Sequence, residues 1–126
     1  MTHSVVVVDD HNLLSQAIGG LVDSFENFKV LYTCRNGKEL IDRLKIPEDV
    51  PDIVLMDVNM PILNGIETTE HLRKHFPKIK VLALSIEEDE KVISKMIRAG
   101  ARGYLLKDVK KIELYNALLE VTEKGF

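Results

Sequence analysis

The sequence predicts an α/β domain with a doubly wound parallel sheet. Extended and helical patterns alternate five times within 126 residues, and the connections between them are short. The first and third strands are continuous apolar runs, which is typical of parallel strands covered by helices on both faces. Five strands in this arrangement favour the flavodoxin-like order 2-1-3-4-5, with five helices on both faces. No repeat or linker interrupts the pattern, so residues 1–126 are expected to form one domain.

The first half of the chain alternates strand and helix patterns with clear breaks. The first strand is β-branched, and the helix after it has apolar residues at the spacing i, i+3, i+4, i+7, namely Leu14, Ala17, Ile18 and Leu21. Asn36-Gly37 is a turn signal, and the two prolines of Pro47–Asp52 predict a loop. The predicted elements are a strand at Ser4–Val8, a helix from Asn12, a strand at Phe28–Thr33, a helix at Lys38–Leu44 and a strand at Ile53–Met56.

The second half continues the alternation. A helix begins after Asn64-Gly65 and stops at about His75, because Pro77 cannot continue it. The last helix is expected to turn Ile112, Tyr115, Leu118 and Leu119 toward the core. The other predicted elements are a strand at Val81–Leu84, a helix at Glu88–Ala99, a short strand at Tyr104–Leu106 and the last helix at Lys110–Lys124.

Composition excludes several classes of protein. The formal net charge is −3, so direct nucleic-acid binding, which needs basic groups against phosphates, is not expected. The apolar runs are far shorter than the roughly 20 residues of a membrane helix. The single cysteine, Cys34, can form no internal disulfide and fits a cytoplasmic protein. No Cys or His pair has the spacing of a zinc site, and all four histidines, including His11 and His71, are interpreted as surface residues.

Functional side chains are expected at the carboxyl ends of the strands, where ligands bind in such sheets. Each group there also has a purely structural interpretation. Asp10 could cap the first helix, and Ser85 could cap the fourth with Glu88 as its partner. Asp57 and Lys107 could simply face water. Five suitable groups at one edge favour a site instead; they are Asp9, Asp10, Asp57, Ser85 and Lys107.

The chemistry of these groups indicates a magnesium site beside a nucleophile. Two carboxylates roughly 5 Å apart repel by about 3 kcal/mol at an effective dielectric near 20, so three need a cation or a raised pKa. Carboxylate oxygens suit Mg²⁺, which also binds phosphate oxygens. With Mg²⁺ and Lys107 neutralising charge and Ser85 donating a hydrogen bond, Asp57 can attack phosphorus and form an acyl phosphate.

The sequence resembles the receiver domains of two-component response regulators over nearly its whole length, from VVVVDDH at Val5 to GYLLKD ending at Asp108. The stretch AGARGYLLKD looks most like receivers attached to a LuxR-type helix-turn-helix. The resemblance implies either a receiver separated from a C-terminal DNA-binding domain, which we favour, or a stand-alone receiver. The residues at the family's positions are Asp9-Asp10, Asp57, Met60-Pro61, Gly65, Ser85, Tyr104 and Lys107.

The resemblance implies phosphorylation of Asp57 by a sensor histidine kinase or a phosphotransfer protein, in a domain that is not an enzyme but assists its own phosphorylation and dephosphorylation. Mg²⁺, with Mn²⁺ as a substitute, would be held by Asp10, Asp57 and the main-chain carbonyl of Asn59. Asp9 would act mainly through a bound water, and Lys107 would hold phosphoryl oxygens. Homodimerisation is also a property of the family.

The resemblance further implies a conformational switch. Ser85 would bind the phosphoryl group and Tyr104 would turn inward, which would remodel the surface of helix four, strand five and helix five for a partner. Tyr104 could equally be a half-buried strand aromatic. Asn59 and Glu87 occupy positions that tune the lifetime of the phosphoryl group in the family.

Four features put limits on the resemblance or on rival functions. The family commonly has a cis proline after Lys107, but Asp108 stands here, so a trans bond or, at most, a strained cis bond is expected. Ile86 is bulkier than the residue often found after Ser85 and would narrow access to Asp57. Phosphatases with an Asp nucleophile need a second acid at the position of Asn59, which cannot shuttle a proton in that way. A receiver-like interaction module that ignores phosphate would usually lack some of Asp10, Asp57 and Lys107.

Overall fold

The computed structural model describes residues 2–86 and 89–125. Within them, five parallel strands form one sheet in the order β2-β1-β3-β4-β5, as predicted. Each predicted bound of an element lies within two residues of the observed one. The strands are β1 (His3–Val8), β2 (Phe28–Cys34), β3 (Ile53–Asp57), β4 (Lys80–Ser85) and β5 (Gly103–Leu106). The helices are α1 (Asn12–Asp23), α2 (Gly37–Arg43), α3 (Gly65–His75), α4 (Glu90–Ala99) and α5 (Lys111–Lys124), with a short 3₁₀ turn at Pro47–Asp49 inside the predicted loop.

Helices cover both faces of the sheet, which explains the unbroken apolar strands. Alternate residues of a strand point to opposite faces, and Val5 and Val7 of β1 pack on one side while Val6 and Val8 pack on the other. The first face is covered by α1 and α5, and the second by α2, α3 and α4. All four valines are fully buried. Their burial holds β1 and β3 at the centre of the sheet, where the strand order reverses.

Two predicted helix faces are wrong in detail. Ala17 of α1 is exposed, because the buried face of that helix runs through Ser15, Ile18, Gly19 and Val22. Ile112 of α5 is 61% exposed. The core stripe of α5 is Leu114, Leu118 and Val121, and a residue two positions before Leu114 lies about 200° around the helix from it. Tyr115 and Leu119 pack against the core only partly.

Local signals place the helices that flank the third and fourth strands. α3 begins with a capping box, in which the Asn64 side chain accepts from the Glu67 main-chain N–H and the Glu67 side chain accepts from Asn64. α4 begins with Asp89 as its N-cap, and the Asp89 side chain accepts from the Lys91 main-chain N–H at 2.9 Å. Among the described residues, every helix is too short or too polar to cross a membrane.

Candidate functional site

The carboxyl ends of four strands bring the predicted site residues to one rim. Asp57 is the last residue of β3 and Ser85 the last of β4, while Asp9 and Lys107 directly follow β1 and β5. Main-chain hydrogen bonds extend the sheet to this rim: the Lys107 N–H donates to the Ser85 carbonyl at 2.8 Å, and the Asp9 N–H to the Cys34 carbonyl at 2.9 Å. The same ladder that forms the sheet therefore fixes where these side chains start.

Three charged side chains of this rim are buried together. Asp9 is 1% exposed, Asp57 3% and Lys107 8%. The Lys107 Nζ lies 3.1 Å from Asp9 Oδ2 and 3.2 Å from Asp57 Oδ2. These contacts are ion pairs, but within the described residues neither Oδ2 atom accepts a well-directed hydrogen bond. One ammonium group thus faces two carboxylates and leaves part of their charge without a partner.

The electrostatic cost is concentrated on Asp57. The pKa of its carboxyl is raised to about 6; burial is the largest cause and the nearby Asp9 carboxylate the next, while Lys107 acts in the opposite direction. Loss of water disfavours the charged form of an acid, and a like charge does the same. Asp57 is therefore a carboxylate that a cation could stabilise considerably.

His11 is a surface residue, as predicted, but it is not isolated, because it belongs to the same cluster. Its Nδ1 lies 3.1 Å from Asp9 Oδ1, 3.3 Å from Asp10 Oδ1 and 3.2 Å from the Lys107 Nζ. The ring is 59% exposed, so it forms the open side of the rim. The sequence places the main chain of His11 directly after two site acids, but a sequence does not contain the ring orientation that makes these contacts.

The loop after β3 depends on a close main-chain approach. The Gly65 N–H donates to the Val58 carbonyl at 2.9 Å, and a Cβ at position 65 would collide with the Asp57 carbonyl oxygen. Only glycine therefore lets α3 begin so near the end of β3. Asn59, which the resemblance makes a main-chain ligand, is an exposed residue of this loop.

The remaining predicted residues lie around the rim. Ser85 is buried, and α4 is capped by Asp89, so Ser85 does not act as its N-cap. Tyr104 is half-buried in β5, pairs in register with Ala83 and packs against the core on the α2–α4 face. The Lys107–Asp108 bond is trans, as expected. Glu87, expected to tune phosphoryl lifetime, and Glu88, the suggested capping partner, lie outside the described residues.

The donor set fits a divalent cation. One ligand atom from each of Asp9, Asp10, His11 and Asp57 can be chosen so that all lie within 4.8 Å of one another. The two buried Oδ2 atoms without directed hydrogen bonds are a second indication, because buried polar atoms are normally satisfied. A groove of about 570 Å³, lined in part by Phe25, Ile112 and Tyr115, shares none of these residues.

Comparison with known proteins gives a consistent result. The family model "response regulator receiver domain" matches residues 5–119. The chain is 36% identical over 121 residues to the transcriptional regulatory protein LnrK of Bacillus subtilis, covering 96% of this chain and 54% of that protein. It is 30% identical over 115 residues to the nitrate/nitrite response regulator protein NarL of Escherichia coli, covering 91% of this chain and 52% of NarL. The chain thus spans about half the length of these relatives.

Solved structures extend the similarity to the whole fold. The signal receiver domain of a NarL response regulator from Mycobacterium tuberculosis superposes with a TM-score of 0.90 at 25% identity, over 98% of both chains. A DNA-binding response regulator of the LuxR family from Staphylococcus aureus gives a TM-score of 0.85 at 27% identity, over 96% of this chain and 99% of the other.

Proposed function

The chain belongs to the response regulator receiver domain family, with LuxR- and NarL-type relatives, and on this premise we propose that it is a signalling switch operated by phosphorylation of Asp57. The donor would be a phosphohistidine of a sensor histidine kinase or of a phosphotransfer protein. An Asp57 oxygen forms a bond to phosphorus as the P–N bond to the donor histidine breaks. The product is an acyl phosphate on Asp57 and a free histidine on the donor.

One observation supports this proposal above all others: Asp57 is buried beside Lys107 with an oxygen that accepts no well-directed hydrogen bond from the described residues. A purely structural acid would be expected to have its oxygens satisfied. An acid that awaits a phosphoryl group must keep one oxygen available for attack. The burial also excludes water from one side of the acyl phosphate and so slows its hydrolysis.

Each neighbour of Asp57 has a proposed task. Lys107 and Ser85 hold the phosphoryl oxygens, Lys107 by charge and Ser85 by donating a hydrogen bond. Asp10, Asp57 and the Asn59 carbonyl hold Mg²⁺ or Mn²⁺, with Asp9 acting through a water. When bound, the metal supplies positive charge that neutralises the transferring group. Glu87 and the Asn59 side chain are assigned to tuning the phosphoryl lifetime.

The output is proposed to be a population shift. Contacts that Ser85 makes only with a phosphorylated Asp57 would favour the state in which Tyr104 is turned inward, and the surface of α4, β5 and α5 would change for a partner. Relatives of about twice this length are named as transcriptional regulators, which supports control of an attached helix-turn-helix domain. A homodimer and a cytoplasmic location complete the proposal.

Two alternatives keep less support. A stand-alone receiver would act only by protein–protein interaction, and nothing in the described residues favours it over the longer arrangement. A phosphatase with an Asp nucleophile needs a general acid two residues after the nucleophile, where the Asn59 amide does not ionise and cannot act as one. The domain is therefore proposed to be a phosphoacceptor that assists its own phosphorylation and dephosphorylation, not an enzyme acting on other molecules.

Acetyl phosphate with Mg²⁺ tests the assignment directly. Intact-mass measurement should find one added phosphoryl group on the wild type and none on Asp57→Asn, because an amide oxygen is a poor nucleophile. Asp52→Asn is the matched control: it makes the same change at the other end of β3, on a side chain that is 58% exposed, and should be labelled like the wild type. Labelling of Asp57→Asn at the wild-type level would exclude Asp57 as the acceptor.

A further inference from the structure

The position of His11 relative to the acidic rim is set by its main chain, not by its ring. His11 is the N-cap residue of α1, and its main-chain N–H donates to Asp9 Oδ1 at 2.9 Å. Its side chain makes no capping hydrogen bond. The ring is therefore not needed to start the helix, although the main chain presents it to the two acids.

The ring nitrogen Nδ1 stands among partners with opposite demands. It lies 3.1 Å from Asp9 Oδ1 and 3.3 Å from Asp10 Oδ1, which can only accept hydrogen bonds, and 3.2 Å from the Lys107 ammonium, which can only donate them. If Nδ1 carries a hydrogen, it can donate to Asp9 but offers no acceptor to Lys107; if it carries a lone pair, it can accept from Lys107 but faces two carboxylates. Neither tautomer satisfies all three contacts.

A bound cation removes the repulsion between the Nδ1 lone pair and the two carboxylates. With the lone pair on Nδ1, the imidazole and the carboxylate oxygens become ligands of one ion instead of repelling one another. The four residues Asp9, Asp10, His11 and Asp57 offer ligand atoms within 4.8 Å of each other, and two buried carboxylate oxygens lack a directed hydrogen bond. Beside the oxygen ligands proposed for Mg²⁺, the cluster thus offers one additional ligand atom, the imidazole nitrogen of His11.

We infer that His11 is a nitrogen ligand that gives this site a preference for a divalent transition-metal ion over Mg²⁺. Imidazole suits Zn²⁺, Ni²⁺ and Cu²⁺, whereas carboxylate and water oxygens suit Mg²⁺. The inference rests on the proposed function, because it uses the same metal site. It assigns to His11 a role in metal selection that the phosphoacceptor chemistry does not require.

Calorimetric titration of the tag-free protein with Ni²⁺ and, separately, with Mg²⁺ tests the inference. All proteins should carry His71→Gln and His75→Gln, because those two rings lie 4.5 Å apart one turn along α3 and could bind Ni²⁺ themselves. In that background His11→Ala should weaken Ni²⁺ binding by at least about tenfold, the lower end of the effect of losing even an outer partner of a metal ligand. Mg²⁺ affinity should stay within about twofold, because the carboxylate ligands remain.

The nitrogen itself gives a second readout. On adding Zn²⁺, the ¹⁵N resonance of His11 Nδ1 should shift, while the resonances of His3 should not. Equal Ni²⁺ affinity with and without the His11 ring, or an unshifted Nδ1, would overturn the inference. Mg²⁺ binding and labelling of Asp57 would then still stand. If the protein with only His71→Gln and His75→Gln did not bind Mg²⁺, that result would instead count against the proposed function.

Discussion

Two aspartates at opposite ends of β3 show how differently one sheet treats the same side chain. Asp52, just before the strand, is 58% exposed, and its Oδ2 accepts from the Ser4 main-chain N–H at 2.9 Å and from the Ser4 hydroxyl at 3.3 Å. The side chain of Asp57, the last residue of the strand, is 5% exposed, and its Oδ2 has only the ion pair with Lys107 among the described residues.

The difference follows from the direction of the strands. The amino edge of a parallel sheet presents main-chain N–H groups, so a carboxylate there finds donors ready, as Asp52 does with Ser4. The carboxyl edge presents carbonyl oxygens, which repel an anion. A carboxylate held there needs a cation, from Lys107 or from a metal. Asp57 at the carboxyl edge is therefore available to bind a cation, whereas Asp52 at the amino edge links the start of β3 to β1 through Ser4.

The largest expected effect comes from removing the cation at the carboxyl edge. Lys107→Met keeps most of the bulk of the side chain and leaves Asp9 and Asp57 buried without a counter-charge. Breaking a buried ion pair in this way should lower the free energy of unfolding by about 3 kcal/mol at pH 7.5. Urea unfolding measures it. Lys38→Met is the control, because its pair with Asp42 lies at the surface and should matter little. Equal losses in both variants would contradict the comparison.

The next effect concerns the charge of Asp57 itself. Its pKa is raised to about 6 in the fold from about 3.8, so the folded protein holds a proton that the unfolded chain releases. The contribution of this proton to the free energy of unfolding is fully present below about pH 4 and is lost as the pH rises through about 6. Asp57→Asn cannot ionise and should be more stable than the wild type at pH 7.5 without metal, by about 1–2 kcal/mol after allowing for solvent at the open side of the site.

Unfolding curves at several pH values separate the effect of the Asp57 charge from a pH-independent effect of the substitution on stability. The advantage of Asp57→Asn should shrink between pH 6 and pH 4, where the wild-type carboxyl takes up its proton in the fold. Adding Mg²⁺ at pH 7.5 should stabilise the wild type more than the variant, because binding to the folded state alone raises stability. A constant difference from pH 4 to pH 7.5 would mean that the charge of Asp57 is not the cause.

The carboxyl edge was also where the sequence was most informative. The order of strands and helices follows from periodicity and short connections, and residues after buried strands must lie at one edge. Asp9, Asp57 and Lys107 could therefore be placed together from sequence. The helix faces were harder: Ala17 and Ile112 are apolar, but their burial depends on the angle at which each helix meets the sheet, which a pattern does not contain.

Contacts between side-chain atoms were beyond the sequence. His11 has the spacing of no zinc motif, and its approach to Asp9, Asp10 and Lys107 depends on a single ring orientation. The hydrogen bonds of Asp52 could not be predicted either, because its partner Ser4 lies 48 residues away in the chain. Residues that follow a strand are placed by the main chain, and such residues can be predicted; partners that depend on a rotamer cannot.

The smallest expected effect is at the amino edge, where the same substitution should act with the opposite sign. Asp52→Asn keeps an oxygen that can accept from Ser4 but removes the charge that strengthens these hydrogen bonds. Bonds to a charged group contribute more than neutral ones, and exposure reduces the difference, so the variant should lose about 0.5 kcal/mol at pH 7.5. Urea unfolding beside Asp57→Asn measures both. If Asp52→Asn were instead stabilising, the wild-type Asp52 carboxylate would have too few hydrogen-bond donors, as Asp57 does. The two ends of β3 would then not differ in the way that the strand direction requires.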